Sequence, residues 1–268
     1  MSHSKKRVVI LAILISGTAA LCAFVAACGG RLLILESNSN SSPVIVSVTP
    51  SFTIVGSASQ AIVIYGSGFI PSTMATFNGT TQTTTFINSQ TLTIQLNQSD
   101  LALVGVFPIT ISNPLPGAST PASAAFSVWN SFIATGTVSI GYPPDWTYSD
   151  AAATSGQPEQ IGFAPTGKQF DPASEYAGDI VETFLSDSSG TLDDYYNSVA
   201  SDNLLVNSDS AVHIQVNGLP AIKFTNVFGM IPTNLIAIQK GQTIIEISDV
   251  GQQHQTDGLL DNFAAAVR

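Results

Sequence analysis

Ala61-Ile62-Val63-Ile64-Tyr65-Gly66-Ser67-Gly68-Phe69 is a run of β-branched and aromatic residues that ends in a glycine-rich corner. β-Branched side chains lose little on a pleated surface, so residues 61–65 read as a strand, and the glycines read as a tight turn before Phe69. A phosphate-cradling loop would need a lysine and a following helix, and neither is present. Moving outward, Val44-Ile45-Val46-Ser47-Val48, Thr91-Leu92-Thr93-Ile94-Gln95-Leu96, Phe107-Pro108-Ile109-Thr110-Ile111-Ser112 and Ala125-Phe126-Ser127-Val128 repeat the same grammar. Turn chemistry separates them at Asn78-Gly79, Asn88-Ser89 and Asn113-Pro114-Leu115-Pro116-Gly117. No segment of helical period intervenes. About seven short strands in under 100 residues predict a β-sandwich.

Charge marks where this region stops. Between Pro43 and Val128 the one charged side chain is Asp100, whereas the chain from Trp129 onward carries 16 acidic residues against Lys168, Lys223, Lys240 and Arg268. The shift predicts a domain boundary near Trp129-Asn130-Ser131. An acidic chain (net charge −10) lacks the basic footprint that nucleic-acid phosphates require, so nucleic acid is excluded as a partner.

Thr49-Pro50, Gly56, Ile64 to Phe69, Phe77-Asn78-Gly79 and Gly105 to Asn113 stand in an order that resembles the IPT/TIG family. That resemblance implies an immunoglobulin-like sandwich over 43–128. In exported bacterial proteins it implies a spacer or a module that contacts carbohydrate or protein.

After Trp129 the pattern changes. Residues 137–140, 161–164 and 180–185 read as strands. Thr191, with Asp194 three residues on, reads as a helix N-cap, and a helix is predicted to about residue 203. Residues 212–216, 221–228, 235–239 and 243–248 read as further strands, with hairpin turns at Asn217-Gly218 and Lys240-Gly241. Leu259, Leu260, Phe263 and Val267 form the apolar stripe of a closing helix. Antiparallel strands with two packed helices make an α+β domain. Val138 to Trp146, Thr191 to Tyr196, Val216 to Phe224, Ile244 to Ile247 and Leu260 to Phe263 resemble the PsbP-like and Mog1-type α/β/α sandwich with a central antiparallel sheet. That resemblance implies a non-catalytic binding or assembly factor and carries over no ligand residue.

The chain opens with Lys5, Lys6 and Arg7, then an apolar run from Val8 to Ala27, then Val25-Ala26-Ala27-Cys28. A basic head, an apolar core and small residues before a break are the parts of a secretory signal. The last four residues resemble the bacterial lipobox, which implies lipidation of Cys28 and a bilayer partner through its acyl chains. An uncleaved membrane-spanning helix is the rival reading, and both leave the remainder exported. The expected layout is a signal peptide over 1–27, a lipidated tether over 28–42 spanning on the order of 20 Å, the IPT/TIG domain over 43–128 and the PsbP-like domain over 129–268. The expected location is the bacterial cell envelope, at the periplasmic face or the cell surface.

Candidate chemistry is sparse. Beyond Cys28, Tyr142 and Trp146 are candidate ligand-binding aromatics beside prolines. His213 sits in a strand, and His254 stands three residues before Asp257, short of a metal set. A Gly-x-Ser-x-Gly elbow is absent, and the acids between Asp145 and Asp209 invite a glycosidase reading that needs two of them to flank a sugar, a separation in space that sequence does not show. The reading is therefore a non-enzymatic lipoprotein without cofactor or metal. In it, the sandwich acts as spacer and the second domain binds an envelope protein. The alternatives are a carbohydrate-binding protein with a glycan partner, for which Tyr65, Phe69 and Phe77 are the local aromatics, and an envelope hydrolase using carboxylates of the C-terminal domain.

Overall fold

In this computed structural model the described residues are 22–24, 33–35, 41–114, 120–134, 138–151, 159–168, 181–187, 190–201, 210–227, 233–250 and 258–268. Strands β1 (Cys22–Phe24) and β2 (Leu33–Leu35) pair antiparallel. Cys28, His254 and Asp257 lie outside the described residues, as does most of the basic and apolar leader. Among the described residues no helix is long and apolar enough to cross a membrane.

Eight strands build the first domain: β3 (Val44–Thr49), β4 (Phe52–Ile54), β5 (Gln60–Ser67), β6 (Met74–Phe77), β7 (Thr80–Asn88), β8 (Thr91–Leu96), β9 (Gly105–Ser112) and β10 (Ala122–Ile133). Strand β7 passes from one layer to the other. Its start, Thr80–Gln82, pairs with β6, and its remainder pairs with β8. Alternation dictates the core: Ile62, Ile64, Leu92, Ile94, Ile109, Ile111 and Phe126 turn inward and are fully buried. Gly66 lies within β5 rather than at its corner. A Cβ there would come within 1.9 Å of the Val44 carbonyl oxygen, so the glycine is required by the approach of β3. Buried Asn113 ties the sandwich to the incoming chain, donating to the Ser41 and Gly68 carbonyls at 2.8 Å while its Oδ1 accepts from Thr73.

The second domain is built from β11 (Ser139–Tyr142), β12 (Trp146–Ala151), β13 (Glu159–Pro165), β14 (Val181–Asp187), α1 (Leu192–Ser201), β15 (Ala211–Val216), β16 (Leu219–Val227), β17 (Thr233–Lys240), β18 (Thr243–Val250) and α2 (Leu259–Ala265). Seven of these strands form one antiparallel sheet in the order β12-β13-β14-β18-β17-β16-β15. Ile161, Phe163, Ile236, Ile238, Ile245 and Ile247 pack with α2 on one face. Ile222, Phe224, Leu235, Ala237 and Ile244 pack with Leu192 and Val199 of α1 on the other. The fold is thus all-β followed by a layered α+β domain.

No linker separates the two. Strand β10 runs through the position where the charge pattern changes: Val128 pairs with Gly105 in the first domain, and Asn130 pairs with Tyr142 in the second. Trp129 stacks on Phe52 with ring centroids 4.2 Å apart and lies 5.5 Å from Phe263 of α2. Ile54 belongs to the second core, and a Cβ on Gly141 would lie 3.0 Å from its side chain. The chain enters the sandwich beside Asn113 and leaves it beyond Gly105, the opposite end of β9. Those ends are about 25 Å apart for a strand of this length. Val267, expected on the helical stripe, instead follows α2 and bridges to Ile140. Asn217 holds it there, donating to the Ala265 and Val267 carbonyls at 2.9 Å.

Candidate functional site

Helix α1 starts where the sequence places a cap. The Thr191 Oγ1 accepts from the Asp194 backbone, and the Asp194 carboxylate accepts from the Thr191 backbone at 2.7 Å and from its hydroxyl at 2.9 Å. These bonds, the backbone one foremost, hold the Asp194 carboxyl below the usual carboxylate range. The cap sets the phase of the helix, and Leu192, Tyr195, Tyr196 and Val199 then turn toward the sheet.

Beneath it one row crosses four strands: His213 stands opposite Ile222, Ile222 opposite Ala237, and Ala237 opposite Glu246. Three strand spacings put the two ends of the row about 14 Å apart. At one end the Tyr195 hydroxyl donates to Glu246 Oε2. Both residues are half-buried, so the pair keeps an edge toward solvent. Loss of hydration is the main cause that pushes the Glu246 carboxyl up, partly offset by the Tyr195 hydrogen bond. Burial, and then the neighbouring Glu246 charge, push the Tyr195 phenol up as well. At the other end His213 Nε2 lies 3.4 Å from Asp193 Oδ1 in an exposed pair, with the Tyr196 ring 6.5 Å away. A carboxyl whose pKa is raised, set beside a phenol, can donate a proton to a leaving group and take one back from water.

The aromatics singled out in sequence lie elsewhere. Tyr142 is 9% exposed and packs 5.3 Å from Phe163 and 5.8 Å from Tyr148. Burial, and secondarily Tyr148, push its hydroxyl up. Trp146 is half-buried with its ring 5.6 Å from Phe263. Both therefore help to build the α2 core. Of the three aromatics of the sandwich, Phe69 and Phe77 are buried and Tyr65 is 45% exposed. An open groove between β9 and β10 is lined by Val106, Phe107, Pro108, Ser123, Ala124 and Ala125, none of them titratable. Among the described residues no group of three His, Cys, Asp or Glu could hold a metal ion. Sequence reasoning passed over Glu246 because Ile245-Glu246-Ile247 reads as a strand with its polar residue toward water. The only signal was that a sheet carrying two helices has little uncovered face.

Residues 43–128 match the family model of the IPT/TIG domain. No curated protein matches the chain. Among solved structures, the chain is similar to a provisionally assigned phosphatase from Bacteroides thetaiotaomicron VPI-5482. The two are 10% identical over 76% of this chain and 70% of that one, with a TM-score of 0.25. The expectation of a purely non-catalytic binding protein, and of no enzymatic activity, is corrected on this finding and withdrawn. A likeness that weak carries no argument for phosphatase chemistry in this chain. The chain carries an IPT/TIG domain over residues 43–128, continued without a break into a second domain of one antiparallel sheet with a helix on either face.

Proposed function

We propose that this chain is a hydrolase of the bacterial cell envelope, with Glu246 as its general acid and base and Tyr195 as the partner of that carboxyl. The observation that carries the reading is a half-buried carboxyl whose pKa is raised by lost hydration, hydrogen-bonded to a phenol at the margin of a helix. In the cleavage of an oxygen-linked ester or glycoside, Glu246 gives its proton to the leaving oxygen as that bond breaks. Water then adds to the other fragment and returns a proton to the carboxylate, which restores the acid.

Export and anchoring belong to the same proposal, supported by Lys5 to Arg7, the apolar run to Ala27 and the lipobox-like Val25-Ala26-Ala27-Cys28. Two or three acyl chains hold a protein on a bilayer where one does not. The resemblance of 129–268 to the PsbP-like and Mog1-type sandwich is supported by the α1–sheet–α2 layering. The non-catalytic character of that family is not carried over.

One experiment tests these parts together. Membrane and soluble fractions of cells expressing the chain, Glu246→Gln or Cys28→Ser are assayed on chromogenic esters, phosphoesters and glycosides. The expected results are activity in the membrane fraction, a loss of about 100-fold or more for Glu246→Gln, and, for Cys28→Ser, loss of the acyl mass on the exported chain as read by mass spectrometry. Full activity in Glu246→Gln, or none with any substrate class, would overturn the hydrolase reading.

A further inference from the structure

We infer that α1 is a lid over Glu246, closed in this structure by the Tyr195 hydroxyl. The inference rests on the hydrolase reading for its purpose and on geometry for its substance. Tyr195 occupies Glu246 Oε2, so a substrate oxygen can reach that atom only after the phenol has moved. The phenol is carried by a helix of ten residues, and among its described side chains only Leu192 and Val199 are buried. A helix of that length is marginal without packing. Among the described residues its polar ties to the sheet are the Tyr195 bond and the Asp193–His213 pair, whose side chains are 81% and 65% exposed. A side-chain contact so exposed contributes little. The cap at Thr191 lies within the helix and its lead-in, so it moves with the lid rather than holding it to the sheet.

The opposite helix shows what a fixed element looks like. Helix α2 buries Leu260, Phe263 and Ala264. Its Asp261 accepts from Lys223 Nζ at 2.6 and 2.8 Å. Its C-terminal end runs into Ala266 to Arg268, where Gly141 donates to the Ala266 carbonyl and Arg268 and Ser139 exchange backbone hydrogen bonds. Opening α1 leaves this second core intact, because the sheet stands between them. It uncovers the row from Ile222 to Glu246 and frees Oε2, the carboxyl oxygen that the phenol covers.

Amide hydrogen exchange on the full chain, resolved by residue, tests the lid without any substrate. The hydrogen-bonded amides from Tyr195 to Ser201 are expected to exchange at least ten-fold faster than those of α2 and of β16 to β18, since a sub-global opening costs less than global unfolding. Tyr195→Phe removes one hydroxyl and is expected to speed the α1 amides about five-fold more, leaving α2 unchanged. Protection of α1 equal to that of β16 to β18, or rates that Tyr195→Phe does not alter, would overturn the lid. Loss of the hydrolase reading would show in Glu246→Gln activity and leave these rates untouched, so the two failures are separable.

Discussion

The two faces of the second sheet are built from the same strands and differ in what stands on them. The α2 face is dry and shared: Trp129 and Ile54 from the first domain meet Phe163, Trp146 and Phe263 there. The α1 face has a smaller core and a polar seam, with Glu246 and Tyr195 at one end and His213 and Asp193 at the other. A buried polar group gains little even when paired, because folding only exchanges its bonds with water for bonds within the protein, whereas apolar burial stabilises. Stability therefore concentrates on the α2 side, and the α1 side, where the Glu246–Tyr195 pair lies, is the one we infer to be held more lightly.

The largest test of that contrast is Phe263→Ala. The ring is fully buried and lies within 5.6 Å of Trp129, Trp146 and Phe163. Its removal is expected to cost about 3–5 kcal/mol, measured as a lowered urea midpoint. Because β10 and Ile54 tie the first domain to this core, the transition of the sandwich should shift with it. A sandwich that unfolds at its original midpoint would break the comparison.

The next effect is one of pH. Burial raises the Glu246 pKa in the folded protein, so the folded state binds that proton more tightly than the unfolded one. This contribution to stability is complete below the ordinary glutamate value of about 4.3 and is lost as pH rises through the raised value. Urea titrations of the chain and of Glu246→Gln at a series of pH values should diverge over that window, with the chain losing stability as pH rises. Parallel profiles would mean that Glu246 is hydrated as in the unfolded chain.

The smallest is Thr191→Ala, which removes the cap of α1 at a cost of about 1 kcal/mol. If α1 is the lightly held element, its amides should exchange faster while the urea midpoint barely moves. A fall in the midpoint equal to the full cost would show that α1 unfolds only with the rest.

Much of the fold was legible because its signals are local. The alternation at Thr91–Leu96 matches β8 to the residue, Thr191 and Asp194 mark the start of α1, and Asn217-Gly218 turns between β15 and β16 with Asn217 at φ 52°. The IPT/TIG pattern joins several such signals in order, and the family match covers the same residues. Strands β4, β6, β7 and β12 were harder to read. Thr-rich β7 lacks an apolar face because it changes layers midway. The start of β12 is hidden among prolines.

The amino-acid sequence by itself determined the strand and helix periods, the caps and turns, and the uneven spread of charge, because each depends on neighbours within a few residues. Only the tertiary structure decided that β10 serves both domains, that Trp129 is a core residue of the second, and that Glu246 meets Tyr195 across 51 positions of chain. The physical reason is that burial is a property of what lies opposite. Alternation puts Glu246 on a face, but whether that face meets water or a helix is decided by where α1 packs.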